Sequence, residues 1–346
     1  MSMKWMIYGA NGYTGTLVAQ HAKQQGLQPV LAGRNSEAIH KLAGQLELPS
    51  CIVDLNDSTA LQRALADVDI VVHCAGPFEV TAAPMIEACL ASKTHYVDIT
   101  GELSVFEYAH ANHERAQQAG VVLCPGVGFD VIPTDCVAAK LKQALPDATE
   151  LTLGFDSASR MSRGTAKTSV RRLGEGGAVR RDGKITPVPL AYHTRTIDFG
   201  NGEKFAMTIP WGDVSTAYYT TGIPNIEVFI PASPNLVKKL KRLNWFRWLL
   251  RFETVKKFLE KKVEQQPAGP NEKQLEQAIT YVWGEAKNAQ GVTETLRITV
   301  MNGYKLTSHG AVDVAQYILT HSPAGGFYTP ATLCGADLVE KYYVVA

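Results

Sequence analysis

The first 34 residues restrict the fold more than any other part of the chain. Residues 3–8 form a short apolar run, and the run GANGYTG follows at once at 9–15. An apolar pattern with helical spacing comes next, and a second apolar run at 29–32 ends in Gly33 and Arg34. Strand, glycine turn, helix and strand follow one another in the order that a dinucleotide-binding unit requires.

Each glycine of this G-x-x-G-x-x-G turn has a physical task. Gly9 lets the chain leave the strand sharply, Gly12 lets the backbone approach a pyrophosphate, and Gly15 lets the helix pack against the strand. The N–H groups at the helix start favour an anion, because they have no acceptor within the helix. A purely structural turn is the alternative, but the position between strand and helix favours dinucleotide binding. The predicted cofactor contacts here are Gly9, Asn11, Gly12, Tyr13, Thr14 and Gly15.

The residue after the second strand distinguishes between the two nicotinamide dinucleotides. NAD-binding units place an acidic residue there, which hydrogen-bonds the ribose 2′-hydroxyl. This chain has Arg34 instead, and a guanidinium binds a phosphate through two parallel hydrogen bonds. The sequence therefore predicts NADP(H), with Gly33, Arg34 and Asn35 among its contacts. A solvated surface arginine is the alternative interpretation.

Composition excludes several other classes of protein. The chain has 346 residues, of which 45% are hydrophobic, enough for two domains or one large one. Its net charge of +1 gives no field that would attract nucleic acid, and no uncharged apolar stretch has the length of a membrane-spanning helix. The chain starts directly with a strand, and its six cysteines include no C-x-x-C pair. We therefore expect a cytoplasmic protein with reduced thiols and no metal site.

The pattern of apolar and polar residues changes part-way along the chain. Six short apolar runs separated by helical segments predict a buried parallel sheet in the first part. Later runs such as 150–155 and 295–300 alternate apolar and polar residues, which is typical of an antiparallel sheet with one covered face. We predict an α/β protein with a Rossmann-type doubly wound parallel sheet, formed by 1–148 plus about 310–346. An inserted α/β substrate domain, 149–309, would contain a mostly antiparallel sheet.

The segment 236–264 allows two interpretations. It holds ten Lys and Arg against three Glu, together with Trp245, Phe246, Trp248 and Phe252. A basic amphipathic helix on a membrane surface is one interpretation. The other is a pair of helices that cover a domain and expose solvated basic faces, and it is favoured because covering helices are far commoner.

Ligands of an open parallel sheet bind at the carboxyl ends of its strands. Asp54, after the third strand, could accept a hydrogen bond from an adenine amino group or could shape a turn, and both interpretations stand. The loops 74–78 and 126–130 follow later strands and are expected near the nicotinamide. Their predicted cofactor contacts, with those of the loop between them, are Cys74, Ala75, Gly76, Pro77, Phe78, Gly101, Gly128 and Phe129.

A hydride transfer needs a donor for the accompanying proton, and two carboxyl groups at strand ends are the candidates. Asp130 and Glu102 are the predicted catalytic residues. A carboxylate can also fix a loop by accepting backbone N–H groups, and for each of the two this structural role is the commoner one. Cys74 would be a nucleophile only beside a base, and no such arrangement is visible in the sequence.

Several motifs taken together resemble the saccharopine dehydrogenase-like oxidoreductases, in the branch that contains the trans-acting enoyl reductases. The matching stretches are YGANGYTG at 8–15, LAGR at 31–34, HCAGPF at 73–78, HYVDITGE at 95–102, GVGFDVIPTD at 126–135, SRGTAKTS at 162–169, TGIPNIE at 221–227, YVWG at 281–284 and GYKLT at 303–307. They are distributed over almost the whole chain.

The resemblance implies an NADP-binding Rossmann domain, a second α/β domain that takes part in dimerisation, and a small-molecule substrate. It does not imply saccharopine as that substrate. The first functional hypothesis is an NADP(H)-dependent oxidoreductase that transfers a hydride to or from a C=N, C=C or C=O group. The alternative is a binding protein that senses NADP(H) without turnover.

Overall fold

The computed structural model describes residues 4–159, 161–265, 267 and 269–344, so Met3 of the first apolar run lies outside the described residues. The strands, numbered in chain order, are β1 Trp5–Tyr8, β2 Val30–Gly33, β3 Ser50–Ile52, β4 Ile70–His73, β5 His95–Asp98, β6 Val122–Cys124, β7 Ala148–Ser157, β8 Gly177–Arg181, β9 Lys184–Val188, β10 Thr194–Asp198, β11 Glu203–Ile209, β12 Asn225–Pro231, β13 Thr280–Asn288, β14 Thr293–Val300 and β15 Gly326–Phe327.

The α-helices alternate with the early strands and then become less regular in their placement. They are α1 Tyr13–Gln24, α2 Ser36–Leu46, α3 Ser58–Leu65, α4 Phe78–Ser92, α5 Leu103–Ala111, α6 His113–Ala119, α7 Ile132–Ala144, α8 Arg163–Arg172, α9 Asp213–Thr221, α10 Pro234–Leu243, α11 Glu253–Glu264, α12 Glu272–Gln277, α13 Gly303–His321 and α14 Pro330–Cys334. Two 3₁₀ helices are Arg247–Arg251 and Ala336–Tyr342.

The chain divides into two compact units. The first consists of the residues up to Ile132 together with Tyr304–Leu338, and the second of Pro133–Gly303 with the residues from Val339 onward. The sequence placed the boundaries at 148 and about 310. The contacts divide the chain earlier because α7 packs on the second sheet: a Cβ added to Gly284 of β13 would lie 2.6 Å from a Val137 methyl carbon of this helix.

The first unit contains a parallel sheet of seven strands in the order β15-β6-β5-β4-β1-β2-β3. Every pairing between its described strands is parallel, for example β1 with β2 on one side and β1 with β4 on the other. All four residues of β1 and of β4 are buried, as expected for strands covered on both faces. The predicted Rossmann-type doubly wound sheet is confirmed, and its strand order reverses between β1 and β4, where such sheets bind ligands.

The second unit contains a mixed sheet of eight strands. Six of them follow the order β10-β11-β12-β7-β13-β14, and β8 pairs with both β12 and β9. Only the pairing of β12 with β7 is parallel among those in the described residues; the rest are antiparallel. The predicted second α/β domain with a mostly antiparallel sheet is therefore confirmed.

The first glycine turn supports a prediction on stability. Gly9 has a φ of +80°, and a Cβ there would lie 2.7 Å from the amide nitrogen and the Cβ of Ala75. Gly26 has a similar φ of +75°, but an added Cβ would meet no described residue within 4 Å other than its chain neighbours. We expect Gly26→Ala to cost about 1–2 kcal/mol through backbone strain alone, and Gly9→Ala to cost about 2–3 kcal/mol more through the added steric clash.

Urea unfolding of the wild type and the two variants measures this difference. Because the two glycines have similar φ values, Gly26→Ala measures the cost of backbone strain. The additional loss of unfolding free energy in Gly9→Ala then measures the steric clash with Ala75. Equal losses of unfolding free energy in the two variants would contradict the close contact between Gly9 and Ala75.

No helix among the described residues is long and apolar enough to cross a lipid bilayer. In the same residues, no three His, Cys, Asp or Glu side chains lie together as a metal site would require.

Candidate functional site

The glycine turn connects β1 to α1 and leaves the start of the helix without a side-chain cap. Gly9 donates to Ala32 O at 2.8 Å, and Gly12 donates back to Gly9 O at 3.0 Å, which closes the turn. Gly12 is the N-cap residue and has no side chain that could accept from the first helical N–H groups. Carbonyls of the same helix cannot satisfy these N–H groups either. This terminus is therefore suited to an anion.

The turn is closely packed on one side and open on the other. A Cβ at Gly15 would lie 2.3 Å from Gly9 O, so only glycine lets the helix pack this close. Among the described residues beyond its neighbours in the chain and in α1, a Cβ at Gly12 would meet Gly9 O alone within 4 Å, at 3.3 Å, which leaves its other side open to a ligand. The Asn11 Oδ1 atom lies 3.3 Å from the position of a Cβ on Gly33, which brings this turn and the end of β2 together.

The end of β2 presents an exposed guanidinium. Arg34 makes no ion pair or hydrogen bond within the part of the chain that the structure describes. The next residue, Asn35, is the N-cap of α2, and its Oδ1 accepts from Ala38 N at 3.0 Å. Arg34 is thus available to a ligand phosphate, while the Asn35 side chain is used within the protein.

Asp54 lies close to the same edge, beyond β3. Its Oδ1 accepts from the backbone N and the Nδ2 of Asn56, both at 2.8 Å, so it shapes the turn into α3. The Tyr8 hydroxyl donates to Val53 O at 3.1 Å. Burial raises the pKa of Tyr8, the charge of Asp54 raises it further, and the charge of Arg34 lowers it. The ends of β1, β2 and β3 therefore meet around this hydroxyl.

The loop 74–78 continues the same edge after β4. Cys74 donates its N–H to Tyr8 O at 2.7 Å, and the bond between Gly76 and Pro77 is cis. Burial raises the pKa of the Cys74 thiol far above its usual value, and the charge of Asp98 adds to this. A thiol held in its protonated form is a poor nucleophile, which agrees with the lack of a base in the sequence.

A buried histidine supports this loop. The Thr81 hydroxyl donates to Ala75 O at 2.6 Å and lies 3.0 Å from His73 Nε2, so it accepts the proton of that ring nitrogen. His73 Nδ1 then carries no proton and has no hydrogen-bond partner among the described residues. Burial lowers the pKa of His73 to about 3, so the ring stays neutral at physiological pH.

This low pKa predicts an acid-sensitive stability. An unfolded histidine has a pKa of about 6.5, so between the two values the unfolded chain binds the proton and the folded chain does not. Stability is therefore lost as the pH falls from about 6.5 towards about 3. This group alone is expected to lower the free energy of unfolding by about 2 kcal/mol between pH 7 and about pH 5.

Urea unfolding of the wild type and His73→Gln at both pH values isolates this contribution, since the other titrating groups are common to the two proteins. The variant should be less stable at pH 7 but should lose less on acidification. An identical pH dependence of the two proteins would show that His73 is not held neutral by burial.

Glu102 fixes the start of α4. Its Oε1 accepts from Phe78 N at 3.0 Å, and its Oε2 accepts from Glu79 N at 2.6 Å. These are N–H groups of the first turn, where the helix dipole favours a negative charge. The Glu102 side chain is almost fully buried, and its negative charge is held in place by these two bonds.

Asp98 organises the loops after β5 and β6. Its Oδ1 accepts from Thr100 N at 2.9 Å and from Gly126 N at 2.8 Å, and its Oδ2 accepts from the Tyr96 hydroxyl at 2.5 Å. Burial raises the pKa of Asp98 to about 6, against the hydrogen bonds, which lower it. Through Thr100 and Gly126, Asp98 thus joins the loop that contains Glu102 to the loop that contains Asp130.

Asp130 differs from the two other acids because it lacks partners. A Cβ added to Gly101 would lie 2.8 Å from its Oδ2, so the carboxyl group lies directly against this glycine. Its side chain makes no hydrogen bond or ion pair with any residue that the structure describes. Burial raises its pKa to about 7, and the charge of Glu102 contributes in the same direction. Asp130 is thus an acid that titrates near neutral pH, as a proton donor should.

The loop of Gly128 and Phe129 is held by the helix α13. Thr307 Oγ1 accepts from Phe129 N at 3.0 Å, and a Cβ on Gly128 would lie 2.7 Å from the Thr307 methyl carbon. Thr307 is the last residue of the GYKLT motif, but the sequence assigns it no role at this site, because 178 positions separate it from Phe129. Tyr13 of α1 also contacts α13, edge to face with Tyr304 at 5.3 Å between ring centroids.

Comparison with known proteins adds an independent line of information. Residues 5–124 match the family model of the saccharopine dehydrogenase NADP binding domain. A saccharopine dehydrogenase-like oxidoreductase of Mus musculus is 26% identical over 214 residues, which cover 54% of this chain and 50% of that protein. In its NADP-binding part the chain is thus similar to the saccharopine dehydrogenase-like oxidoreductases. A trans-acting enoyl reductase of Mycobacterium bovis is 29% identical over 153 residues, covering 42% of this chain and 37% of the other.

The fold of the whole chain has a counterpart among solved structures. Apo saccharopine dehydrogenase (L-Glu forming) of Saccharomyces cerevisiae matches with a TM-score of 0.67 and 13% identity, covering 99% of this chain and all of that one. This chain spans about half the length of the mouse relative. The match to the NADP binding domain includes the glycine turn, Arg34 and Glu102, and it ends before Asp130 and Thr307.

Proposed function

We propose that this protein is an NADP(H)-dependent oxidoreductase that transfers a hydride to or from a C=N, C=C or C=O group of a small organic substrate. The observation that carries the proposal is the guanidinium of Arg34, which is exposed and unpaired among the described residues beside the uncapped start of α1. The Arg34 guanidinium is suited to a 2′-phosphate, and the N–H groups at the start of α1 are suited to a pyrophosphate. The NADP binding domain model and the names of the relatives support the same cofactor and reaction class.

Each part of the site then has a role in binding. The N–H groups of α1 would hold the pyrophosphate, and Arg34 would hold the 2′-phosphate. The loops 74–78 and 128–129, with Gly101, would bound the nicotinamide end. The cofactor, when bound, supplies or accepts the hydride.

Asp130 would hold and deliver the proton that accompanies the hydride. A pKa of about 7 keeps much of this acid protonated at neutral pH and leaves it able to release its proton. Glu102, the other predicted catalytic residue, has both carboxylate oxygens bonded to backbone N–H groups of α4. We propose that Glu102 acts through Asp130, as a fixed negative charge that raises the pKa of its neighbour. This unpartnered acid favours an enzyme over a protein that only senses NADP(H).

Two measurements on the purified protein test the proposal. The first is titration with NADPH and NADH, followed by quenching of tryptophan fluorescence; tighter binding of NADPH is expected. The second is oxidation of NADPH, followed by its absorbance, with panels of imines, enones and ketones. Absence of binding by either dinucleotide would overturn the proposal. Tight binding of NADPH with no turnover on any panel would favour the sensing alternative.

Two further properties complete this proposal. The resemblance to the family supports a homodimer, which light scattering coupled to size-exclusion chromatography measures. A cytoplasmic location is supported by the six cysteines, none of which forms a disulfide within the described residues. Fractionation of cells that express the protein at its natural level tests that location.

A further inference from the structure

The basic segment, which we define as residues 236–264, exposes an unusual set of aromatic side chains. Trp245 is 84% exposed, Phe246 60% and Trp248 59%, and Phe252 and Phe258 are more than half exposed as well. Trp248 and Phe252 also contact each other, with 6.0 Å between their ring centroids, and exposed apolar side chains that adjoin one another mark an interaction site. A function in covering the core does not explain them, because core-covering residues would be buried.

The helix α10 does cover a core, but it uses other residues. Val237 is buried in a cluster with Ala191 and Met207, and Leu240 packs against the same cluster. The covering interpretation of this segment therefore holds for one face of α10. It leaves the aromatic residues beyond α10 without a role inside the protein.

These aromatic residues are presented from an anchored backbone. Asn244, just before Trp245, accepts from Leu190 N at 2.8 Å and donates to Leu190 O at 3.1 Å. Arg247, just before Trp248, donates to Val188 O at 3.4 Å. Anchors on both sides of Trp245 and Phe246 hold this part of the chain against the body of the second unit, so the rings project from a fixed platform.

The charge around the aromatic residues is strongly positive. The basic segment has ten Lys and Arg against three Glu, in a chain whose net charge is +1. Each of the three acids already has a partner: Glu264 pairs with Lys167, Glu260 with Arg171, and Glu253 with Lys256. In α10, no acidic side chain among the described residues pairs with Lys238, Lys239, Lys241 or Arg242. The uncompensated charge is thus cationic.

We propose that the basic segment docks this protein on the surface of an anionic lipid bilayer. Trp and Phe side chains partition into the boundary between headgroups and acyl chains, and nearby cations attract anionic headgroups. A second copy of this chain is a poorer occupant, because a symmetric contact would bring two cationic segments together. A soluble acidic partner would use the charges but would not require five exposed aromatic side chains. The proposal does not depend on the proposed enzymatic function.

Vesicle binding tests the proposal on the full-length protein. Vesicles of phosphatidylcholine alone are compared with vesicles that also contain phosphatidylglycerol, by co-sedimentation and by the blue shift of tryptophan fluorescence. Binding is expected only to the anionic vesicles, and it should weaken as salt is added. Failure to bind anionic vesicles, or equal binding to both kinds, would overturn the proposal.

Paired variants separate the two contributions. Trp245→Ala with Trp248→Ala, and separately Lys238→Glu with Lys239→Glu, should each lower the partition onto anionic vesicles at least about tenfold. The matched controls are exposed residues elsewhere, Val80→Ala with Val292→Ala and Lys41→Glu with Lys184→Glu, which should bind as the wild type does. Equal losses in test and control variants would overturn the proposal.

Two further readings distinguish the other occupants. If light scattering finds a dimer that the double tryptophan variant converts to a monomer, the segment is a subunit interface and the proposal is wrong. If soluble polyglutamate prevents all binding of the wild type to vesicles, and the double tryptophan variant still binds vesicles, the partner is an acidic chain and the proposal is wrong. All variants should keep the circular dichroism spectrum and the urea unfolding midpoint of the wild type, which shows that they are folded without relying on the proposed cofactor.

Discussion

Replacing Asp130 with Asn is expected to lower kcat by about 10²–10⁴-fold, the usual contribution of a positioned general acid. Asn has nearly the same size as Asp and can lie against Gly101 in the same way, but it has no carboxyl proton to transfer. Because neither Asp130 nor Asn would touch the glycine turn of α1, the dissociation constant for NADPH should change little. Steady-state kinetics and fluorescence titration of the same preparations measure both quantities.

The pH profile gives this prediction a second reading. A proton donor must be protonated, so in the reductive direction the rate of the wild type should fall as the pH rises through about 7. Asp130→Asn should lose this limb of the profile. Asp67→Asn, at an exposed position of the same unit, is the matched control and should keep both the rate and the profile. An Asp130→Asn protein with wild-type kcat and an unchanged profile would exclude Asp130 as the donor.

Replacing Arg34 with Ala is expected to weaken NADPH binding about 10–100-fold and to leave NADH binding nearly unchanged. Hydrogen bonds that involve charged groups contribute about 1.5–3 kcal/mol, and each 1.4 kcal/mol corresponds to a factor of ten in affinity. NADH lacks the 2′-phosphate, so its affinity does not depend on a bond to Arg34. The measured quantity is the ratio of the two dissociation constants.

Two controls make the Arg34 prediction specific. Arg63→Ala removes another exposed arginine of the first unit and should leave both affinities as they are. Arg34→Lys should retain part of the preference for NADPH, since an ammonium keeps the charge but not the two parallel hydrogen bonds. An equal loss of NADPH and NADH binding in Arg34→Ala would mean that the residue supports the fold of the β2 end and does not select the cofactor.

The parts of the fold that could be predicted are those that local sequence determines. The strand, glycine turn, helix and strand of the first 34 residues are close together in the chain, and their conformations depend on glycine positions and apolar spacing. Six strands of the parallel sheet were predicted in this way. The seventh, β15, has only two residues, Gly326 and Phe327, and two residues carry no periodicity. It pairs with β6, about 200 positions earlier, through backbone hydrogen bonds, and such bonds leave no side-chain pattern in the sequence.

The candidate site was predictable to a similar extent. The loops that carry its residues follow from the rule that ligands bind at strand ends. The difference between Asp130 and Glu102 could not be predicted, because both are carboxyl groups in loops after strands. It depends on which backbone N–H groups lie within reach, and those of Phe78 and Glu79 come from a helix more than 20 residues earlier than Glu102. The unpartnered state of Asp130 is likewise a property of the folded chain alone.

The contact of Glu102 with α4 has a consequence for where a phosphate can bind. Four helices, α1 to α4, each follow one of the first four strands, and each offers N–H groups that attract an anion. At α2 and α3 the side chains of Asn35 and Asp57 occupy these groups, and at α4 the carboxylate of Glu102 does so. The fourth helix, α1, begins after Gly12, an N-cap residue that has no side chain with which to accept from the first N–H groups. Side-chain oxygens of the protein thus compete with an incoming phosphate at the starts of α2, α3 and α4, and the N-cap residue of α1 supplies no such competitor.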